Sequence, residues 1–113
     1  MLPITADEIR GLDDKKIEKL EVPEWNRSVY IRTFTAGIRE SMQVTAEELK
    51  KKNTVARFVF HSLCDESGAL LFTNPADIEM LANKNSAAMA RIFNAVIKLN
   101  AVGEVATENA VKN

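Results

Sequence analysis

The sequence predicts an α+β domain, mostly α-helical, with one short β-hairpin near the N-terminus. Three observations carry this. Leu20 and Val22 alternate with Lys19 and Glu21, and Val29 and Ile31 alternate with Tyr30 and Arg32, the period of two that belongs to strands. Thr5 with Glu8, and Thr45 with Glu48, have the spacing of helix capping boxes. Apolar residues then recur at helical spacing through two longer stretches in the second half of the chain.

In chain order, Thr5 and Glu8 open a short helix, with Ile4 and Ile9 at the staple positions and Gly11 as its end. Asp13-Asp14-Lys15-Lys16 is a solvated connector. The first strand covers roughly 17–22 and the second roughly 28–34, joined by a polar turn that opens at Pro23. Residues 35–42 suit one or two helical turns, weakened by Gly37. Thr45 and Glu48 then cap a helix from about 46 to 64, with Val44 against Leu49 as its staple. Val55, Phe58, Val59, Ser62 and Leu63 form one face of it. A strand through Ala56-Arg57-Phe58-Val59-Phe60 is the competing reading, since β-branched and aromatic residues favour it.

Asp65-Glu66-Ser67-Gly68 is turn chemistry, and Ala69-Leu70-Leu71-Phe72 a short extended piece. Asn74 and Pro75 restart a helix, with Ile78 and Leu81 facing inward. The last helix runs from about 86 to 100, with Met89, Ile92, Phe93, Val96 and Leu99 as its buried stripe and Gly103 as its stop. Residues 1–103 read as one compact domain and 104–113 as a flexible tail.

Composition excludes several classes. With 113 residues, 46% hydrophobic and 27% charged, the chain has the balance of one soluble domain. No stretch approaches the roughly 20 apolar residues of a membrane span. The N-terminus has neither a basic start nor a long apolar run, so no secretory signal is expected. A formal net charge of −1 argues against a general phosphate-binding surface. A single cysteine, Cys64, excludes an intrachain disulfide and fits a reducing, intracellular setting.

Catalytic and metal chemistry find little support. His61 and Cys64 stand three apart on one predicted helix, as a thiolate–imidazole pair would, but no oxyanion loop accompanies them. One His and one Cys fall short of a zinc set. Asp65 and Glu66 lack the spaced carboxylates of a calcium loop. The chain therefore reads as a non-enzyme without cofactor or metal. Lys50-Lys51-Lys52 with Arg57 is the densest basic run, more in keeping with a solvated face. A small nucleic-acid-binding or regulatory domain built on this 50–57 segment is the alternative reading. Trp25, Tyr30, Arg32 and Phe34 are the candidate partner-binding residues, because Trp and Tyr are enriched in interfaces. Trp25 equally suits the core of a domain this small.

Pro23-Glu24-Trp25, Val29-Tyr30-Ile31-Arg32, Leu63-Cys64-Asp65-Glu66-Ser67-Gly68 with Leu71-Phe72, a capped helix, Ile92-Phe93-Asn94-Ala95 and Leu99-Asn100 follow one another in an ordered set. From about residue 14 to residue 103 this order resembles the tail assembly chaperones of siphophages, the long-tailed bacteriophages. The resemblance implies a protein of the host cell cytoplasm that binds the phage tape measure protein and assists tail tube polymerisation. It also implies the tail tube protein as a second partner, self-association, and a longer form made by ribosomal frameshifting. No functional residue is carried over from it.

Overall fold

The structure, a computed structural model, describes residues 1–42 and 52–100. The Thr45–Glu48 capping box with Val44 and Leu49, Lys50 and Lys51, Gly103 and the 104–113 tail lie outside the described residues.

Helix α1 spans Ala6–Arg10, and its capping box forms as expected: the Glu8 N–H donates to the Thr5 hydroxyl (3.2 Å) and the Thr5 N–H to Glu8 Oε1 (3.0 Å). No residue of α1 is buried, and Ile4 and Ile9 are exposed. Strand β1, Ile17–Val22, and strand β2, Arg27–Arg32, pair antiparallel with Leu20 opposite Val29. A 3-10 turn, Pro23–Trp25, joins them. Asn26 closes the turn in the left-handed region (φ 53°), which asparagine tolerates better than most residues. Helix α2 covers Ala36–Ser41, capped by Thr35.

Helix α3, Thr54–Ser62, is shorter than the predicted 46–64. Asn53 has φ 65°, so no continuous helix can pass through it. At the other end the chain turns extended, and Leu63–Cys64 forms strand β3. The predicted lone hairpin is thus part of a three-stranded antiparallel sheet, ordered β1–β2–β3, with Tyr30 opposite Cys64 and Ile31 opposite Leu63. Helical spacing hid the switch, because Ser62 and Leu63 continue the apolar stripe of α3.

Ser62 makes the junction. Its hydroxyl accepts from the Arg32 N–H (3.2 Å) and donates to the Arg32 C=O (2.7 Å), extending the β2–β3 ladder with a side chain. Ser62 is fully buried. Ser62→Ala leaves both Arg32 groups without these bonds and is expected to destabilise the fold by about 1–3 kcal/mol; urea unfolding reads it as a lower midpoint.

The Asp65–Gly68 turn follows. Asp65 Oδ1 accepts from the Ser67 N–H (2.8 Å), the Ser67 hydroxyl (2.6 Å) and the Ala69 N–H (3.1 Å). These bonds, the Ser67 hydroxyl first, hold the Asp65 carboxyl below the usual carboxylate range. Gly68 takes φ 91° beneath Lys15 and Ile17, where a side chain would collide. Its carbonyl accepts from Arg32 Nη1 (2.8 Å). Leu70 then bridges back to Cys64.

Helix α4 spans Asp77–Ala82, two residues beyond the predicted Pro75 start. Asn74 still organises the entry: its side chain accepts from the Ala76 N–H (3.0 Å) and its carbonyl from the Asp77 N–H (2.9 Å). Helix α5 covers Ser86–Leu99, with Asn85 capping through the Ala88 N–H (2.9 Å). It packs on β1 and α3. Val22 and Ile31 from the sheet, Phe58 and Val59 from α3, and Ile92 and Val96 from α5 form the centre of the core. Asn100 ties the end of α5 to the β2–α2 link: its Oδ1 accepts from the Phe34 N–H (2.6 Å) and its carbonyl from Arg39 Nη1 (3.0 Å).

Candidate partner-binding grooves

The four residues singled out from the sequence do not share one surface. Tyr30 and Arg32 alternate with the core-facing Val29 and Ile31, so they stand on the outer face of the sheet, half-buried. Phe34 turns to the helical side. Its ring meets Phe58 edge-on at 5.8 Å, and Phe58 meets Phe93 edge-on at 5.5 Å. Trp25 is half-buried on the turn between β1 and β2 and packs on the margin of the core.

Trp25 is also one wall of an apolar groove of about 390 Å³. Val29, Leu71, Phe72 and Met80 line it, and Lys84 stands at its margin. The groove draws on the hairpin turn, β2, β3, the segment after the Asp65 turn, and α4. A second groove of about 460 Å³ lies between α3, α4 and α5, lined by Val55, Ala82, Met89, Ala90 and Phe93 among others. Leu81 and Lys84 line both, so the two meet at the C-terminal end of α4. The half-buried Met80 places an adaptable thioether in the first groove, whereas Met89 lines the second from the core. Leu71 is 51% exposed and Val55 38%, so apolar surface is open to solvent in both grooves. Sequence reasoning found Trp25 but missed Leu71, Met80 and Lys84. Leu71 was visible only as part of the short apolar run Ala69-Leu70-Leu71-Phe72, and no local pattern set Met80 or Lys84 apart.

An ion pair holds the Trp25 turn in place. Arg91 on α5 grips Glu24 with Nε on one carboxylate oxygen and Nη2 on the other, both at 2.9 Å. The Arg91 hydrogen bond holds the Glu24 carboxyl below its ordinary value. A lowered folded value means the contribution is complete above the unfolded value, near 4.5, and is lost as pH falls through the folded one. Trp25 fluorescence is therefore expected to shift on acidification below the ordinary carboxylate range. The same step is expected to be missing in Arg91→Leu.

The remaining candidates are not drawn together as the sequence spacing suggested. His61 lies in the last turn of α3 whereas Cys64 lies on β3, so the shared helix that would pair them is not formed. Burial keeps the Cys64 thiol protonated, pushing it above its ordinary value, while burial and then Arg57 lower His61. Among the described residues no cluster of three His, Cys, Asp or Glu could hold a metal ion. In the basic segment, Lys52 sits 4.0 Å from Glu79, and the half-buried Arg57 reaches the Thr54 hydroxyl at 3.4 Å. No helix of the described residues is long and apolar enough to cross a membrane.

Fold and grooves together describe an α+β domain with two apolar grooves that share Leu81 and Lys84. Among solved structures, the fold is similar to that of the bacteriophage HK97 tail assembly chaperone, with a TM-score of 0.61 at 16% identity, over 82% of this chain and 90% of that chain. The resemblance to siphophage tail assembly chaperones read from the sequence therefore holds at the level of the fold. No family model matches the chain, and no curated protein matches it.

Proposed function

We propose that the chain is a bacteriophage tail assembly chaperone of the host cell cytoplasm. It binds the tape measure protein and assists polymerisation of the tail tube around it. The observation that carries this reading is the fold shared with the HK97 tail assembly chaperone across most of both chains. The two grooves that meet at Leu81 supply a mechanism. An amphipathic helix lays its apolar face into such a trough, which would cover apolar surface until assembly does. Trp25 and Leu71 line the first groove, and in this reading the tape measure helix binds there. Tyr30 and Arg32, on the outer face of the sheet, are left for a second contact such as the tail tube protein. Phe34 serves the fold. The reading is non-enzymatic and needs no cofactor. It includes self-association and a frameshifted longer form extending from the 104–113 segment.

Co-expression with the tape measure protein of the same phage tests the reading. A chaperone is expected to raise the soluble fraction of that protein and to co-purify with it. Unchanged solubility with no co-purification would overturn the assignment. The frameshift has its own test: a gene without a slippery heptamer before the stop would remove it.

A further inference from the structure

Strand β1 is an edge: the sheet order is β1–β2–β3, and among the described residues no strand lies beyond it. Backbone groups of an antiparallel strand point alternately to its two sides. The Thr33 N–H donates to the Lys16 C=O (3.0 Å), and Ile17 stands opposite Arg32. Counting on from Lys16, the N–H and C=O groups of Glu18, Leu20 and Val22 face β2. Those of Ile17, Lys19 and Glu21 face the open edge. Lys19 and Glu21 are exposed and have no hydrogen-bond or ion-pair partner among the described residues.

We propose that this edge pairs antiparallel with β1 of a second copy, with Leu20 on the two-fold axis. Only Ile17, Lys19 and Glu21 present backbone groups outward, so an antiparallel register can slide only in steps of two. With Leu20 opposite the partner's Leu20, Lys19 stands opposite the partner's Glu21, and Glu21 opposite the partner's Lys19. Sliding one step either way sets Lys19 against the partner's Lys19, or Glu21 against the partner's Glu21. Like charges directly opposite each other are unfavourable and opposite ones favourable, so charge selects one register. The half-buried Leu20 then meets its copy at the closer, non-hydrogen-bonded position, on the face that carries the core. Charged residues ordinarily keep an edge strand solvated. Here their order suits a two-fold, self-complementary contact that joins two sheets of three strands into one.

This pairing specifies the self-association included in the proposed function and rests on that reading only for its use. The test employs the full-length chain alone, so its failure leaves binding of the tape measure protein untouched, and the reverse holds too. Sedimentation over a concentration series is expected to show a monomer–dimer equilibrium. K19E and E21K each turn both charge pairs repulsive and are expected to weaken the dimer roughly tenfold. The K19E/E21K double variant, and an equal mixture of the two single variants, regain complementary pairs and are expected to recover dimerisation. Circular dichroism checks that each variant stays folded. A chain that is monomeric at every concentration, single variants that dimerise like the parent, or a double variant that fails to recover would each overturn the proposal.

Discussion

Phe58→Ala is expected to lower the stability of the chain by about 3–5 kcal/mol, the range for removing a buried phenylalanine ring. Phe58 is 6% exposed and is the middle ring of the Phe34–Phe58–Phe93 row. Its removal takes the edge contacts from both neighbours and opens a cavity where α3 meets α5. A domain of this size holds only on the order of 5–15 kcal/mol in total, so the loss is a large fraction. Urea unfolding followed by Trp25 fluorescence checks it, as a lower midpoint with an unchanged slope. Phe58→Leu keeps much of the volume and is expected to lose markedly less. Equal losses in the two variants would show that the ring row carries no weight.

The second large effect concerns binding. Leu71→Asp puts a charge on the rim of the Trp25 groove at a side chain that is 51% exposed. Exposed substitutions of this kind usually change stability by less than about 0.5 kcal/mol. Affinity for an apolar tape measure helix is nevertheless expected to fall more than tenfold, because a desolvated contact gains an unpaired charge. Trp25→Ala is expected to lose both affinity and some stability, since its half-buried ring serves the core margin and the groove wall together. Calorimetric titration of each variant with one helical segment separates the two roles. Undiminished affinity in Leu71→Asp would place the helix elsewhere.

Much of this fold is written in local chemistry. Strand β1 occupies Ile17–Val22 as the alternation of Leu20 and Val22 predicts, and α5 occupies Ser86–Leu99 as its apolar stripe predicts. The Thr5–Glu8 box forms because both partners lie within one turn. What the sequence did not disclose depends on distant partners. Leu63 and Cys64 carry a helical pattern, yet β2 offers them a ladder and Ser62 completes it at Arg32. Ile4 and Ile9 hold staple positions but α1 finds no core to cover. Phe34 reads as a surface aromatic until Phe58 and Asn100 draw it inward. The grooves were illegible because their walls come from separate segments, and no local period marks a trough between them. Trp25 was visible as an individual residue, whereas the Glu24–Arg91 pair that fixes its turn spans 67 positions.

Binding of an apolar helix in the Trp25 groove is the centre of the account. Titrating the chain with a synthetic helical segment of the tape measure protein, read by Trp25 emission, tests it most directly. The expected result is a saturable blue shift as the half-exposed indole is covered, reduced in parallel with affinity in Leu71→Asp. Binding by calorimetry with no change in Trp25 emission, or no binding of any apolar segment, would contradict it.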